Sequence, residues 1–437
     1  MQQTSTNEAE QQAFQLLEEM FANIPDVLGV RLWNGKPWPD ERPRAATLVL
    51  QHPNALARIL SAGTEAGLAE GYLNNDFDLE GDIEAAFECV DVLLGRLQDW
   101  RKKWKMATLL LRLPVKSQRH ISERLLPKMR GRRHSPERDR RAVTFHYDLS
   151  NDFYRLWLDE RMVYSCAYFN SPNESLNRGQ RRKLDYICRK LRLSPGQRLL
   201  DIGCGWGGLV LHAAKHFGVH ATGITLSERQ ASEARVRIAA EGMEASTEIR
   251  VCDYRDLSAE ADCCDAIVSV GMAEHVGREQ FPKYFAIARR LLKPRGVFLN
   301  HAIGEGTVPR ADTSKGPFIQ GYVFPDGDIP PLPILLRSAE SAGFEIRDVE
   351  NLREHYGITL RCWLRNLEAR HTEALAYISE ETYRVWRLYL AGSGHCFRRG
   401  QLSVYQTLLS KLDDTGAAGL RLSREDWYRP NESPGSI

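Results

Sequence analysis

The sequence predicts an α/β protein in which a larger domain with a mostly parallel, Rossmann-like sheet follows a smaller α+β domain. Two observations support this prediction. From residue 142 onward, apolar strand-like segments alternate with helical ones, which is typical of a parallel sheet covered by helices on both faces. One of these strands, RLLDI at 198–202, runs directly into a glycine-rich turn that opens a helix. Such turns form ligand sites at the carboxyl ends of parallel strands.

Length and composition are those of a folded, multidomain protein. The chain has 437 residues, which gives room for two or three domains of roughly 150 residues each. Hydrophobic residues make up 43% and charged residues 27%, which excludes a disordered chain. The 59 basic and 57 acidic residues leave a net charge of +2, so a uniformly basic nucleic-acid-binding coat is excluded and no nucleic-acid partner is expected.

Neither a membrane span nor a signal peptide is predicted. No apolar run approaches the roughly 18 residues that a spanning helix needs. The N-terminal sequence MQQTSTNEAEQQAF is polar and lacks the apolar core of a signal peptide. We therefore expect a cytoplasmic protein that contacts the inner membrane face as a peripheral protein.

Residues 1–110 are predicted to form the first domain. A helical pattern at 8–23 is followed by the strand-like segments VLGVRLWNG and ATLVLQHP, and further helical patterns cover 54–62 and 83–97. No cluster of catalytic side chains is evident in this domain. We therefore expect it to bind or position another molecule.

Residues 111–141 are predicted to be a basic linker between the domains. Residues 101–141 contain fifteen Lys and Arg against three acidic residues, interspersed with Trp and Leu. A solvated linker explains this composition. Alternatively the segment contacts an anionic lipid surface, to which each nearby Lys or Arg contributes on the order of 1 kcal/mol. Nucleic acid is a third possibility, but no recognition motif accompanies the charge.

The second domain, residues 142–437, is predicted to contain five strands in sequence. They are RLLDI, HATGITLS, STEIRVCDYRDL, CDAIVSVGMAEHV and PRGVFLNHAI, with a helical segment at 228–241 after the second. Because ligands bind outside the carboxyl ends of parallel strands, the chemistry is expected on the turns that follow them.

The turn after the first of these strands gives the strongest local signal. Gly203, Gly205 and Gly208 satisfy the dinucleotide pattern GxGxxG, which is weak on its own. A nicotinamide enzyme needs an acidic residue at the end of the second strand, and no acid appears there before Glu228. A short glycine turn preceded by Asp201 favours S-adenosylmethionine, whose sulfonium needs no phosphate cradle. A nicotinamide dehydrogenase remains a distant alternative.

Metal binding and disulfides are not expected. The nine cysteines form no CxxC pair, so reduced thiols are expected. His212, His216 and His220 have helical spacing, but the sequence provides no carboxylate or thiol to complete a ligand set on that face.

Nine motifs in order resemble the cyclopropane-fatty-acyl-phospholipid synthase family, which includes the mycolic acid cyclopropane synthases. They are FHYDLSNDFY, YSCAYF, LDIGCGWGGL, GITLSERQ, DYRDL, SVGMAEHVG, NHAIG, YVFPDGDIP and HYGITL. The resemblance covers roughly residues 140–430 and extends more weakly over the first domain. It implies an S-adenosylmethionine-dependent methyltransferase fold, with the first domain binding or presenting lipid.

The family reaction transfers a methylene carbon from S-adenosylmethionine to the cis double bond of an unsaturated phospholipid acyl chain. Attack of the alkene on the methyl group leaves a carbocation, which a bound bicarbonate ion deprotonates so that a ring closes. The resemblance places five residues around that ion: Cys166, Glu274, His301, Ile303 and Tyr356. Cys166 and Ile303 are expected to contribute backbone groups. Hydrogen bonds to the ion come from His301 and Tyr356, and Glu274 accepts the proton of its hydroxyl.

Each of these side chains also has a structural interpretation. Cys166 is explained equally by a buried small residue, since free cysteine is commonly buried. His301, at the end of an apolar strand, is also consistent with a core histidine whose hydrogen bonds are satisfied. Glu274 and Tyr356 are also consistent with ordinary loop residues. Their shared position at strand ends and motif loops favours the functional interpretation.

The resemblance also implies which residues bind S-adenosylmethionine. Tyr164 and Ser165 are expected to close over the methionine portion, and Thr225 and Gln230 to lie near the ribose. The full set is Tyr164, Ser165, Asp201, Gly203, Gly205, Thr225, Gln230, Asp253 and Tyr254.

Partners and product follow from the same resemblance. The expected partners are an unsaturated phospholipid in a bilayer and an anionic lipid surface, and a homodimer is expected. Ala273 departs from the aromatic residue usual in SVGMFEHVG, which puts the acyl pocket and the product in doubt. A methyltransferase of the same fold that makes methyl- or methylene-branched chains is therefore the alternative. A non-catalytic lipid-binding protein would be expected to lose the Glu, His and Tyr residues or the glycine turn, and neither is lost.

Overall fold

The structure is a computed structural model that describes residues 2–21, 26–62, 65–98, 131–147, 149–309 and 318–428. Most of the predicted basic segment, residues 101–130, lies outside the described residues, and so does its predicted contact with lipid. Within the described ranges, no helix is long and apolar enough to cross a membrane.

The described elements alternate between helix and strand along most of the chain. The first part contains α1 (Gln2–Phe21), β1 (Leu28–Arg31), β2 (Pro37–Trp38), β3 (Ala46–Leu50), α2 (Ala55–Ala62), α3 (Glu65–Leu73), β4 (Phe77–Gly81) and α4 (Ile83–Gln98). The middle part contains α5 (Pro136–Tyr147), α6 (Asn151–Trp157), α7 (Leu176–Lys190), β5 (Arg198–Ile202), α8 (Gly208–Phe217), β6 (His220–Thr225), α9 (Glu228–Ala240) and β7 (Thr247–Val251). The last part contains β8 (Cys264–Val270), α10 (Ala273–Val276), α11 (Phe281–Leu291), β9 (Leu292–Glu305), α12 (Phe318–Tyr322), α13 (Leu332–Ser341), β10 (Glu345–Asn351), α14 (Arg353–Ala369), α15 (His371–Ala374), α16 (Glu380–Arg398), β11 (Leu402–Ser410) and α17 (Glu425–Tyr428).

The chain divides into two compact units that are not consecutive in sequence. The first unit comprises residues 1–127, 310–323 and 379–395, and the second comprises residues 128–309, 324–378 and 396–437. The sequence-based boundary assigned everything from residue 142 onward to one domain. Two segments beyond that boundary, 310–323 and 379–395, instead cluster with the first unit.

The first unit is an α+β structure around a four-stranded sheet of order β2-β1-β3-β4. β1 pairs parallel to β3, and the pairings of β1 with β2 and of β3 with β4 are antiparallel. The alternation of buried and half-buried side chains along β3 turns one face of the sheet to the core, where Leu48 and Leu50 belong to the same buried cluster as Leu16 and Leu17 of α1. The helices and strands predicted from the N-terminal sequence are confirmed.

Two buried arginines of α16 hold their segment in the first unit. Arg384 donates to the backbone carbonyl of Tyr72 and to the Asp78 carboxylate, both at 2.7 Å. Arg387 donates to the Tyr72 hydroxyl and to the Leu79 carbonyl, both at 3.0 Å. These contacts join residues more than 300 positions apart, which no local sequence pattern indicates.

The second unit contains a seven-stranded sheet of order β10-β11-β9-β8-β5-β6-β7. The five strands from β9 to β7 pair in parallel, as predicted. β11 pairs antiparallel to both β9 and β10, and neither of these two strands was predicted. Buried clusters of aliphatic and aromatic side chains cover the sheet. Because β5 pairs in parallel with both β6 and β8, the carboxyl ends of these three strands lie along one edge.

Candidate active site

A cleft with an empty volume of about 1010 Å³, including the part open to solvent, lies in the second unit at the carboxyl ends of β5, β6 and β8. Every residue that the sequence assigned to S-adenosylmethionine lines this cleft: Tyr164, Ser165, Asp201, Gly203, Gly205, Thr225, Gln230, Asp253 and Tyr254. The fold thus brings these separate motifs to one place, and their individual contacts with a cofactor remain predictions.

The glycine-rich turn after β5 folds back against β6. The backbone N–H groups of Gly203 and Cys204 donate to the Ile224 carbonyl at 3.0 and 2.9 Å. Gly203 (φ +86°) and Gly207 (φ +75°) adopt the left-handed backbone conformation that favours glycine. A Cβ at Gly207 would lie 2.9 Å from the Cβ of Ala234 in α9. The turn therefore requires glycine for both its conformation and its close packing.

Polar side chains at the end of β6 form a buried hydrogen-bonded group. The Thr225 hydroxyl donates to the Gln230 side-chain oxygen at 2.8 Å and accepts from the Ser227 backbone N–H at 3.2 Å. The Ser227 hydroxyl caps α9 by accepting from the backbone N–H of Gln230 at 3.3 Å. Thr225 and Gln230, the two residues of this segment predicted to lie near the ribose, are thus hydrogen-bonded to each other at the cleft wall.

Asp253 lines the cleft, but its carboxylate is engaged by Arg255. Its Oδ1 accepts from the backbone N–H and from Nε of Arg255 at 2.9 and 2.8 Å, and its Oδ2 accepts from Nη2 at 2.6 Å. Arg255 also donates to Asp139 Oδ2 at 2.9 Å and to the His134 carbonyl at 3.2 Å. Asp253 therefore positions Arg255, which in turn attaches the start of α5 to the cleft. Val143 of α5 lines the cleft.

Tyr254 is buried in the cleft wall. Its ring packs edge-on against Tyr284 with the ring centroids 5.4 Å apart, and its hydroxyl has no hydrogen-bond partner among the described residues. Burial raises the pKa of this hydroxyl to about 12. A neutral phenol with an unused donor suits a polar edge of a bound ligand.

Lys183 of α7 is a cleft residue that sequence reasoning missed. Its side chain is 1% exposed, and its Nζ donates to the Ser165 hydroxyl at 2.8 Å. Burial lowers the pKa of Lys183 to about 8. Burial also raises the pKa of Asp201 to about 7, and Asp201 Oδ1 lacks a hydrogen-bond partner in the described structure. The sequence did contain one indication that this lysine is buried, because Lys183 lies one turn before Ile187 on the same face of α7.

Gln180, one turn before Lys183, supports the same loop. Its Nε2 donates to the carbonyls of Val163 and Ser165 at 3.2 and 2.8 Å. The segment that carries Tyr164 and Ser165 is thus fixed by side chains of α7. Gln180 was also missed, because a glutamine in an amphipathic helix is usually solvent-exposed.

Two of the five residues predicted around the bicarbonate ion, Glu274 and Ile303, are in direct contact. Glu274 Oε1 accepts from the Ile303 backbone N–H at 2.6 Å, and Oε2 is buried without a hydrogen-bond partner among the described residues. Burial raises the pKa of Glu274 to about 7. The Ile303 N–H, which was expected to contact a bound ion, is therefore already used by Glu274.

His301 lies on β9 beside the cleft wall, where it pairs with Val270 of β8. Burial, with the positive charge of Lys183, lowers the pKa of His301 to about 3, so the imidazole is neutral. The Gln406 Nε2 lies 3.3 Å from His301 Nδ1. With Gln406 Nε2 as the donor, His301 Nδ1 accepts, and the imidazole proton then lies on Nε2. His301 Nε2 is buried and has no partner among the described residues.

Cys166 contacts the residue that precedes α14, the helix that carries Tyr356. The Cys166 thiol donates to the Leu352 carbonyl at 3.8 Å and to the Ala167 carbonyl at 3.3 Å, and burial raises the pKa of this thiol. The Tyr356 ring lies 4.6 Å from the Phe397 ring between centroids. Cys166 is therefore a neutral buried thiol whose side chain contacts backbone carbonyls.

Aromatic packing connects the two groups of predicted residues. The Trp363 ring lies 5.1 Å from the cleft residue Tyr164 and 6.0 Å from Tyr356, between centroids. Trp157 packs edge-on against both Tyr164 and Trp363 at 5.3 and 5.7 Å. The cleft residue Tyr164 is thus linked through buried aromatic rings to Tyr356. His301 and Ile303 lie on β9 and Glu274 lies on α10, and none of these three residues lines the cleft.

Two further sequence observations have a structural explanation. Ala273 is 1% exposed and belongs to a core cluster that includes Tyr254 and Tyr284, but unlike Tyr254 it is not among the residues that line the cleft. Contrary to the sequence interpretation, a carboxylate does face the histidine series, because Asp185 Oδ1 lies 2.9 Å from His212 Nε2. No group of three or more His, Cys, Asp or Glu able to hold a metal occurs in the described part of the chain.

Comparison with known proteins identifies the family. Residues 134–407 match the family model of mycolic acid cyclopropane synthetase. A probable fatty acid methyltransferase from Pseudomonas putida is 37% identical over 419 residues, which cover 94% of this chain and 100% of the relative. The cyclopropane-fatty-acyl-phospholipid synthase of Escherichia coli is 39% identical over 279 residues, covering 64% of this chain and 69% of that enzyme.

Solved structures agree with the sequence comparisons. The cyclopropane synthase MmaA2 from Mycobacterium tuberculosis superposes with a TM-score of 0.59 at 34% identity, covering 62% of this chain and 97% of that chain. The mycolic acid cyclopropane synthase CmaA1, complexed with SAH and CTAB, gives a TM-score of 0.58 at 36% identity with the same coverage. The fold and the cleft agree with these similarities, and the chain belongs to the cyclopropane synthase family of S-adenosylmethionine-dependent methyltransferases.

Proposed function

We propose that this enzyme is a cyclopropane-fatty-acyl-phospholipid synthase. It would transfer the methyl carbon of S-adenosylmethionine to the cis double bond of an unsaturated phospholipid acyl chain and close a three-membered ring. The observation that supports this best is that Glu274 Oε2 and His301 Nε2 are each buried without a hydrogen-bond partner among the described residues, and that His301 pairs with the cleft residue Val270. An oxyanion that carries a hydroxyl group complements this pair, because one atom accepts a hydrogen bond and the other donates one.

The cofactor is proposed to lie in the cleft along the carboxyl ends of β5, β6 and β8. The backbone of Gly203 and Gly205 allows close approach of the ligand, and Tyr164 and Ser165 line the same cleft from another segment of the chain. When bound, S-adenosylmethionine supplies an electrophilic methyl group. An isolated alkene carries no proton to remove before attack, so the enzyme needs no base for the transfer itself.

The second half of the reaction needs a base, which we propose to be bicarbonate. When bound, the ion would accept a proton from the transferred methyl group, after which the ring closes. Two residues present fit such an ion: His301 Nε2 would donate to it, and Glu274 Oε2 would accept from its hydroxyl. Tyr356 belongs to this proposal through the family resemblance. Because the Ile303 N–H is bound to Glu274, Ile303 would act by orienting that carboxylate.

A carbocation must also be protected from water. Aromatic faces attract a cation, and in desolvated sites the attraction is worth about 2 kcal/mol or more. Trp157 and Trp363 are fully buried, and Tyr356 is 7% exposed. These rings would stabilise positive charge on the acyl chain and exclude water, which would otherwise convert the cation to an alcohol.

The lipid is proposed to be presented by the first domain at an anionic membrane surface. The described residues of the α+β unit contain no group of three or more His, Cys, Asp or Glu that could hold a metal ion, and a binding role is proposed for this unit. The net excess of positive charge in residues 101–141 would favour anionic headgroups. A homodimer at the inner membrane face, with two lipid-facing sites, belongs to the same proposal.

A second candidate is a fatty-acyl methyltransferase that makes a methyl- or methylene-branched chain. It is favoured by the full-length similarity to the probable fatty acid methyltransferase of Pseudomonas putida. Both candidates share the methyl transfer and the cation. Loss of a proton from the transferred methyl group with closure of a carbon–carbon bond gives the ring. A 1,2-hydride shift to the other carbon of the former double bond before that loss gives a methylene branch, and loss of a proton from the acyl chain gives an unsaturated methyl branch.

Product analysis separates the candidates. The purified full-length protein would be incubated with unsaturated phospholipid vesicles and S-adenosylmethionine, with and without bicarbonate, and the lipids analysed by mass spectrometry and proton NMR. The proposal predicts one added CH2, high-field ring protons and a rate that depends on bicarbonate. Vinylidene signals at the same mass would support the branching alternative. An unchanged lipid mass, with cofactor binding verified, would reject both candidates for this acceptor.

A further inference from the structure

We infer that Lys183 binds the α-carboxylate of S-adenosylmethionine and thereby selects the complete amino-acid end of the cofactor. The inference rests on the methyltransferase activity of the family and is independent of the ring-forming step. It starts from the Nζ of Lys183, which is buried in the cleft and lies 2.8 Å from the Ser165 hydroxyl.

The charges that line the cleft leave Lys183 as the cation available to a ligand. Four lining residues are lysine, aspartate or histidine, whose side chains commonly carry a charge: Lys183, Asp201, Asp253 and His275. Asp253 is engaged by Arg255 through both oxygens. Burial lowers the pKa of His275 to about 4, so this imidazole is neutral near neutral pH.

Lys183 is not directly paired with a carboxylate of the described residues. Within the described residues it forms no ion pair, and its hydrogen bond goes to the hydroxyl of Ser165. The carboxylates of Asp159 and Asp201 act on it at longer range. Asp159 accepts from the backbone N–H of Val163 at 2.7 Å and of Arg161 at 3.1 Å. A buried ammonium without an anion is costly, so a ligand anion at this position gains a large electrostatic stabilisation.

The chemistry of the cofactor matches the charges on the cleft floor. The methionine end of S-adenosylmethionine carries a carboxylate and an ammonium group. Lys183 complements the carboxylate, and the unpartnered Oδ1 of Asp201 is an acceptor for the ammonium. The Ser165 hydroxyl, held by Lys183, lies beside the same group of atoms.

A purely structural role for Lys183 would be to hold the loop that carries Tyr164 and Ser165. Gln180 already performs that task, since its Nε2 donates to the carbonyls of Ser165 and Val163. The two side chains lie one turn apart on α7 and face the same loop, but only Lys183 is charged. Gln180 therefore provides a matched control.

The test compares S-adenosylmethionine with decarboxylated S-adenosylmethionine, which lacks only the α-carboxylate. Binding of each ligand to the full-length protein is measured by isothermal titration calorimetry. The wild-type protein should bind the decarboxylated ligand about 10- to 100-fold more weakly. Lys183→Met should weaken binding of S-adenosylmethionine by a similar factor and leave the affinity for the decarboxylated ligand within about twofold. Gln180→Met should weaken both ligands equally.

Two results would overturn the inference. If Lys183→Met weakens both ligands in parallel, Lys183 only supports the loop. If the wild-type protein binds both ligands equally, the carboxylate has no charged partner, and this result needs no variant to fold. Failure of the ring-forming proposal would change neither measurement, because both read ligand binding in the absence of lipid.

Discussion

Glu274 Oε1 accepts a 2.6 Å hydrogen bond from the backbone N–H of Ile303, so the carboxylate is anchored to β9 through one oxygen while the other stays buried without a partner. This arrangement keeps Oε2 available to a ligand at a fixed position. It also imposes an energetic cost, because burial of an ionised carboxylate is unfavourable.

Glu274→Gln should abolish most product formation and yet stabilise the protein above neutral pH. Burial raises the pKa of Glu274 to about 7 in the folded state, above its ordinary value. The penalty is therefore absent below about pH 4.5, grows as the pH rises from about 4.5 to about 7, and stays constant above about 7. At pH 8 the variant should be more stable by on the order of 1 to 3 kcal/mol, measured by urea unfolding. At pH 5 the two proteins should be nearly equal.

The control for this prediction is Glu279→Gln, on the short 3₁₀ helix Arg278–Gln280 that follows α10. The side chain of Glu279 is exposed, so its removal should change neither the pH dependence of stability nor the activity. An identical stability difference at pH 5 and pH 8 for Glu274→Gln would contradict the prediction.

Gln406→Leu should lower turnover about 10- to 100-fold without changing S-adenosylhomocysteine affinity, because Gln406 acts through His301. Without the amide donor at Nδ1, the imidazole proton is free to move between the two nitrogens. Nitrogen-15 NMR of the His301 ring should show a pure Nε2–H tautomer in the wild type and a mixture in the variant. The neighbouring Thr407→Val is the control, and a wild-type Nδ1–H tautomer would refute this assignment.

The sequence predicted the parallel sheet and the cleft residues well, because strand, turn and helix are consecutive there and each motif follows a strand. It failed where the contact partner is distant or the pattern is ambiguous. Lysine and glutamine usually lie on the solvent face of an amphipathic helix, whereas Lys183 and Gln180 lie on the buried face of α7. β10 has the polar sequence EIRDVEN, and it is a strand because β11 pairs with it.

Gly207→Ala should lower cofactor affinity and stability more than Gly242→Ala. Both glycines have positive φ angles, +75° and +65°, so both substitutions carry a similar backbone cost of about 1 kcal/mol. Only at Gly207 would the added Cβ meet a neighbour, the Cβ of Ala234 at 2.9 Å, whereas the space at Gly242 is open. Thermal unfolding and S-adenosylhomocysteine titration measure the difference. Equal effects of the two substitutions would show that the close approach to α9 is unimportant.

Arg384→Met should destabilise the first unit and leave the seven-stranded sheet intact. Arg384 donates to the Tyr72 carbonyl and the Asp78 carboxylate, and its guanidinium lies 4.6 Å from the Tyr72 ring centroid. Loss of these contacts leaves a buried carbonyl without its donor, which costs about 1 to 3 kcal/mol. Hydrogen exchange should therefore accelerate in β4 and α3 while β5 and β8 stay protected.

The matched substitution is Arg31→Met in the same unit, since Arg31 pairs with Glu80 of β4 at a position where both side chains are largely exposed. Exposed pairs contribute little, so hydrogen exchange should hardly change.

The contacts of Arg384 and Arg387 also explain why deletion of residues 1–100 is a poor test of lipid presentation. Such a deletion would expose the buried arginines of α16, so a loss of activity on vesicles would not separate lipid binding from damage to that helix. Faster exchange in β5 and β8 for Arg384→Met would contradict the assignment of residues 379–395 to the first unit.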